Sequence, residues 1–347
     1  MSNIPAIGNT PGGAGRGTTV LPSCLPGEIW GVTAFFNSSG NPVLLDNLDR
    51  FAASVRRQGL RLLVVELAFG DAAFQVPPSW CDRLVQRRSE TVLWQKERLL
   101  NLGVDHLPPA CDKVVWLDGD IVFENDDWVG ETAARLESYA VVQPFDVACW
   151  LARHAADPPA DPPRGLGEGM AMPGMAAVMA GRDDWRRALA DYFEHGHPGF
   201  AWAARRDILA RHRLYDRHVL GGGDVSVAHA FYGDNDYWRG LNYCCRGMAR
   251  AELAAMAAWG RALYADVQAS VSHVPGRALH LWHGAIAGRG YRDRWGILKD
   301  ADFDPATDVA LDENGCLRWN SDKPMLHRRV RDYFDRRVAS MADQGAS

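Results

Sequence analysis

The sequence predicts an α/β fold with a central twisted mixed sheet flanked by helices. Short apolar runs of strand length alternate with amphipathic helical patterns, and the helices begin and end at capping and breaking residues. The third apolar run delivers two aspartates to its carboxyl end, where ligands collect in open α/β sheets.

Residues 1 to about 27 are rich in Gly, Pro, Thr and Ser, lack an apolar period, and read as a disordered tail. From Ile29 the run IWGVTAFF has the β-branched and aromatic content of a buried strand and ends at the polar turn beginning with Asn37. Asn41-Pro42 supplies a cap and a first-turn proline, and Leu44, Leu45, Leu48, Phe51, Ala52 and Val55 then recur at helical spacing up to Gly59. A second strand is predicted over Arg61–Phe69, a loop through Val76-Pro-Pro, and a helix near Leu93–Leu102 that stops at Gly103. Strand, helix, strand, helix implies a right-handed parallel layout. The third strand is Lys113–Leu117, followed by Asp118-Gly119-Asp120, a short strand Ile121–Phe123 and a helix over Trp128–Tyr139.

Asp157 to Gly169, with its repeated prolines and glycines, breaks regular structure and reads as either a lid or an exposed loop. Pro198 onward reads as a strand entering a helix, and Gly221-Gly-Gly-Asp224 as a tight turn opening another. From Pro324, Leu326, Val330, Tyr333, Phe334 and Val338 share one helical face, predicting a helix that packs on the domain rather than on a membrane. The expected organisation is one domain over 28–300, with a nucleotide-binding half (28–145) and an acceptor half (146–300), and an extension over 301–347.

The 347 residues carry 38 basic against 43 acidic side chains, a balance of -5, so no electropositive field exists to hold nucleic acid. Cys24, Cys81, Cys111, Cys149, Cys244, Cys245 and Cys316 lack CxxC spacing and are odd in number, which predicts reduced thiols in a cytoplasmic setting. No basic, apolar leader opens the chain and no run approaches the roughly 18 apolar residues of a membrane span; peripheral membrane contact stays open. Thirteen tryptophans offer rings that either fill the core or stack on sugars.

Two carboxylates separated by one glycine suit a hard divalent cation such as Mn2+ or Mg2+, and Gly119 permits the unusual dihedrals such a turn can require. A cation of this kind acts as a Lewis acid on a diphosphate leaving group. The run Val114–Phe123, VVWLDGDIVF, resembles the DxD segment of GT-A fold glycosyltransferases, the Rossmann-like nucleotide-diphospho-sugar transferases. That resemblance implies a metal-dependent transferase acting on a nucleotide-sugar, a UDP-sugar in the first instance, with a glycan or another hydroxyl compound as acceptor. Asp118 would face the ribose side and Asp120 the metal, and both carboxylates are implied as ligands of the ion together with a downstream histidine. Phe36, at the end of the first strand, Glu66, near the end of the second, and Lys96, opening the Lys96–Gly103 helix, are implied at the nucleotide site.

Leu220-Gly-Gly-Gly-Asp224 resembles the Gly-Gly-Glu-Asp turn of inverting galactosyltransferase-like enzymes, which implies Asp224 as general base, with Gly223 replacing the Glu. Leu279-His-Leu-Trp-His-Gly284 resembles the segment that returns a histidine to the metal in the same enzymes, implying His283 first and His280 second. Three residues apart on an extended chain, these side chains point to opposite faces unless a turn intervenes. Arg289, Arg292 and Arg294 follow; Arg289 is implied at the diphosphate, with surface salt-bridging as the alternative. Trp202 and Phe200 read either as acceptor contacts or as core.

Two rival readings remain. DGDIV after an apolar strand also resembles the nucleophile motif of haloacid dehalogenase-type phosphohydrolases, with Asp118 attacking phosphorus and Asp120 as acid, although that motif usually opens its domain. The other rival is a sugar-binding domain without catalysis.

Overall fold

Residues 24–180, 182, 185–234, 248–284 and 294–342 are described by the structure, a computed structural model, with side chains described to Arg336. The chain runs β1 (Glu28–Phe36), α1 (Pro42–Arg57), β2 (Arg61–Phe69), β3 (Arg83–Ser89), α2 (Lys96–Asp105) and β4 (Cys111–Leu117). Then follow β5 (Ile121–Phe123), α3 (Trp128–Leu136), β6 (Val141–Gln143), β7 (Val147–Trp150), β8 (Ala171–Pro173) and the short helices α4 (Met175–Ala180), α5 (Trp185–Ala188) and α6 (Tyr192–His195). The rest comprises β9 (Ala201–Arg205), α7 (Arg206–His212), α8 (Gly223–Phe231), α9 (Arg250–Val267), β10 (Val271–His273) and β11 (Arg277–His280). It closes with α10 (Arg294–Asp300), a hairpin of β12 (Val309–Leu311) and β13 (Leu317–Trp319), and α11 (Pro324–Ala342).

Seven strands form the central sheet in the order β10-β6-β9-β4-β1-β2-β3. β4, β1, β2 and β3 run parallel, whereas β9 is antiparallel to both β4 and β6, so the sheet is mixed as expected. A second sheet, β5-β11-β7-β8, lies beside it. The near-continuous apolar runs of β1, β2 and β4 follow from burial on both faces. In β2, Leu63, Val65 and Leu67 join one core cluster with α2, while Leu62 and Val64 join another with Phe51 and Val55 of α1. Each such side chain contributes about 1.5–3 kcal/mol by leaving water. Helix α1 begins where Asn41 Oδ1 accepts from Val43 N (3.0 Å), with Pro42 in the first turn.

The stretch read as a loop after Val76 contains β3, an edge strand in parallel register with β2, Val65 opposite Val85. Its Arg83, Gln86, Arg87 and Arg88 conceal it, since an edge strand with one paired side can carry charge on most positions. The segment expected as tail is already docked from Leu25, whose N–H donates to Glu137 Oε2 (2.8 Å), and Lys113 Nζ donates to Gly27 O (2.9 Å). The extension beyond 300 is also tied to the domain: Gln95 exchanges two hydrogen bonds with the backbone of Leu317. In α11, Leu326, Val330, Tyr333 and Phe334 bury against Trp295, Leu298 and Phe303. Among the described residues, no helix is long and apolar enough to cross a membrane.

Candidate active site at the carboxyl end of the sheet

β1 pairs with β2 on one side and β4 on the other, which opens a crevice beyond their carboxyl ends. Asp118-Gly119-Asp120 leaves β4 into that crevice, and Asp118 N donates to Phe200 O (2.8 Å). Gly119 is needed for room rather than for dihedral freedom. A Cβ there would meet Leu48 Cδ1 at 3.0 Å and Thr33 Oγ1 at 3.4 Å, and its φ is not positive.

β5, directly after Asp120, pairs antiparallel with β11 so that Ile121 faces His280, and Leu281 N donates to Asp120 O (2.7 Å). This pairing carries the downstream histidines to the DxD turn. Asp120 Oδ2 lies 3.0 Å from His283 Nε2 and 3.7 Å from His280 Nε2. β11 ends at His280, so the chain is free to turn before His283, which resolves the facing problem of two side chains three apart. Asn47 of α1 donates to Trp282 O (3.1 Å) and fixes that turn. One ligand atom from each of Asp120, His280 and His283 lies within 4.8 Å of the other two, close to the roughly 4.2 Å spanned by two ligands each about 2.1 Å from one ion, so the carboxylate and the two imidazoles could converge on a single divalent ion.

Asp118 stands with Lys96 rather than in that cluster. Lys96 Nζ lies 2.5 Å from Asp118 Oδ1 and 2.9 Å from Asp224 Oδ1, joining the DxD turn to the Gly-Gly-Gly-Asp turn. Burial alone would lower Lys96, but the charges of Asp118 and Asp224 hold it well above its ordinary value. Burial pushes the Asp118 carboxyl up to about 7 against the opposing effect of Lys96.

Gly221 and Gly222 take positive φ (+85° and +108°), and the turn places Asp224 in the first turn of α8. Gly223, where the resembled pattern has Glu, faces Glu97 of α2. The carboxylate carbon of Glu97 lies 2.5 Å from where a Cβ at 223 would stand, so no larger residue fits beside it. Glu97 is buried, accepts from Trp94 Nε1 (3.0 Å), and burial pushes its carboxyl up to about 7. Sequence reading missed Glu97; its place immediately after Lys96, four residues before the equally buried Asn101 on a helix whose other buried side chains are apolar, was the available signal.

A cavity of about 340 Å3 lies above these groups. Phe36 and Trp94 meet edge-to-face (5.3 Å) on one side, and Trp150, Tyr192, His197 and Phe200 form the other. Leu166 lines it too, and Glu168 of the same proline-rich segment accepts from Trp282 Nε1 (2.9 Å). Glu66, implied at the nucleotide site, does not line the cavity. Its buried carboxylate accepts from Gln75 N, Val76 N (3.1 Å) and Gln86 Nε2 (2.9 Å) and holds the loop after β2. Trp202 is core, its Nε1 donating to Pro198 O (2.8 Å), whereas Phe200 lines the cavity. Arg289 and Arg292 lie outside the described residues. Arg294 lines the cavity, with Nη1 donating to Leu220 O (3.0 Å).

No protein-family model matches the chain, and no curated protein matches it. Several solved structures have a similar chain path. One is glucosyl-3-phosphoglycerate synthase from Mycobacterium tuberculosis with Mn2+, UDP and phosphoglyceric acid, 14% identical over 80% of this chain and 76% of that one, TM-score 0.36. Another is residues 1–349 of TarS from S. aureus with UDP-GlcNAc, 10% identical over 58% and 52%, TM-score 0.34. A third is a Drosophila β1,4-galactosyltransferase 7 mutant with manganese, UDP-Gal and xylobiose, 12% identical over 58% and 59%, TM-score 0.30.

Proposed function

We propose that this chain is a metal-dependent glycosyltransferase of the GT-A type that moves a sugar from a nucleotide-sugar, a UDP-sugar in the first instance, to a hydroxyl acceptor with inversion. The observation that carries the reading is the meeting of Asp120 with His280 and His283 in one cavity with the Asp118–Lys96–Asp224 group.

Asp120, His280 and His283 would hold Mn2+ or Mg2+. Such an ion, when bound, stabilises the charge that develops on a diphosphate leaving group. Phe36 and Trp94 would offer an aromatic cleft for the nucleoside, and Asp118, which lines the crevice, would meet its ribose. Lys96 and Arg294 are the lysine and arginine side chains on the cavity wall among the described residues, matched in sign to a diphosphate. Lys96 fixes Asp224 through Oδ1, which leaves Oδ2 toward the cavity for an acceptor proton. In the displacement the acceptor oxygen bonds to the anomeric carbon and its proton passes to Asp224. The bond from that carbon to the diphosphate oxygen breaks, and its electron pair leaves on the diphosphate. Free thiols at Cys24, Cys81, Cys111, Cys149 and Cys316 support a reducing, cytoplasmic setting.

The test is a panel of nucleotide-sugars incubated with Mn2+, with release of the nucleoside diphosphate as readout. One donor is expected to turn over, with loss of turnover in Asp120→Ala and, in Asp224→Asn, loss of transfer with nucleotide binding retained. A panel in which no donor binds or turns over would sink the reading.

A further inference from the structure

His197 is a buried polar group of the cavity that the reaction above leaves without a task. The residue is 8% exposed, Nδ1 lies 3.2 Å from the Tyr192 hydroxyl, and Nε2 has no hydrogen-bond partner. The position of the ring is built rather than incidental. His197 N donates to Pro173 O (2.7 Å), while its carbonyl accepts from Met175 N and from Gln143 Nε2 (both 3.0 Å). Gly196 before it takes φ +81°, and a Cβ there would meet Pro173 O.

Gly199 shows what faces His197. A Cβ at that position would lie 3.0 Å from His197 Nε2 and 3.6 Å from Asp224 Oδ2, so both polar atoms converge on the space a side chain would fill. Gly199 is not among the glycines with positive φ, so its backbone does not demand glycine. What its missing side chain provides is a notch, with a carboxylate oxygen on one side and an imidazole nitrogen on the other. The rings of Phe200 (4.3 Å from the imidazole) and Trp150 (4.9 Å) pack around it.

The charge in this corner limits the ligand. Burial pushes the His197 imidazole down to about 3, so it stays neutral and offers a hydrogen bond without a charge. Lys96 lies near, but its ammonium is matched by Asp118 and Asp224. Arg294 is turned to Leu220 O. An anionic group entering the notch would meet the Asp224 carboxylate, with Lys96 already shared between two carboxylates and Arg294 assigned to the donor diphosphate in the reading above. Aromatic walls accept the apolar faces of sugar rings instead.

We propose that the notch over Gly199, between His197 Nε2 and Asp224 Oδ2, seats a hydroxyl of the acceptor, and that the acceptor is an uncharged, hydroxyl-rich molecule, a sugar or polyol. The proposal rests on the transferase reading and on Asp224 as its base. His197 holds the acceptor through one hydrogen bond, and the hydroxyl proton passes to Asp224.

The experiment uses the full chain with Mn2+ and the nucleotide-sugar it turns over. Neutral acceptors (methyl glycosides, free monosaccharides, glycerol) are compared with anionic ones (phosphoglycerate, glucose 6-phosphate, glucuronate). Transfer is expected to neutral acceptors, with at least a tenfold preference in kcat/KM. Gly199→Ala and His197→Ala are expected to raise the acceptor KM tenfold or more while the Kd for the nucleoside diphosphate stays within twofold. Preference for an anionic acceptor overturns the proposal, as does an unchanged acceptor KM in Gly199→Ala. The acceptor panel on the unaltered protein decides the matter even if a variant fails to fold. Absence of any donor turnover by the unaltered protein would instead remove the transferase reading beneath it.

Discussion

The carboxylate of Glu97 occupies the room that a side chain at Gly223 would need, and it does so while buried and bonded to Trp94. A carboxyl pushed up to about 7 by burial has a consequence for stability. The unfolded chain releases this proton near the ordinary carboxylate value and the folded chain only near 7, so the folded state binds more protons between those limits. Stability from this group is therefore complete at low pH and is lost as pH rises through about 7, by on the order of 3 kcal/mol. Glu97→Gln keeps an acceptor for Trp94 without the charge. It is expected to raise Tm relative to the parent at pH 8.5 and to leave it nearly unchanged at pH 5, measured by thermal unfolding at both.

Removal of the proposed ligands should abolish a metal response. Mn2+ is expected to raise the Tm of the parent protein, by about 2.7 kcal/mol of stability at one hundred times its Kd. Asp120→Ala and His283→Ala should lose that shift at the same concentration. Two imidazoles with one carboxylate form a softer set than all-oxygen sites, so Mg2+ is expected to act at higher concentration than Mn2+. Equal shifts in parent and His283→Ala would exclude His283 as a ligand.

Lys96 bridges two carboxylates from distant parts of the chain. Lys96→Met leaves Asp118 and Asp224 near each other without the ammonium, and a loss of about 1–2 kcal/mol is expected, since the two half-buried carboxylates lose the charge that offsets their repulsion while solvent screens part of it. Adding Asp224→Asn should recover part of that loss. Denaturant unfolding of both single variants and the double variant measures it.

The docking of α11 is tested at Leu326, which is almost fully buried against the α10 region. Leu326→Ala is expected to cost about 3 kcal/mol from lost burial and the cavity left behind. An unchanged unfolding midpoint would mean that α11 does not stay on the domain in solution.

Local chemistry was enough to determine much of this protein from its sequence. Burial on both faces writes β1, β2 and β4 as unbroken apolar runs, Asn41-Pro42 marks the start of α1, and the DxD turn declares itself at the end of β4. β3 stayed hidden because an edge strand needs few apolar residues, and β6, β7, β8 and β10 are too short to show a period. Tertiary structure alone decided how the site is assembled. Antiparallel pairing of β5 with β11 brings His280 and His283 to Asp120, Lys96 draws Asp118 toward Asp224, and Glu97 explains Gly223. Glu66 shows the converse, an acidic residue well placed in sequence whose carboxylate folding turned into its own loop. The reason is physical: periodicity and capping act over a few residues, whereas charge pairing and steric room depend on groups that only long-range contacts bring together.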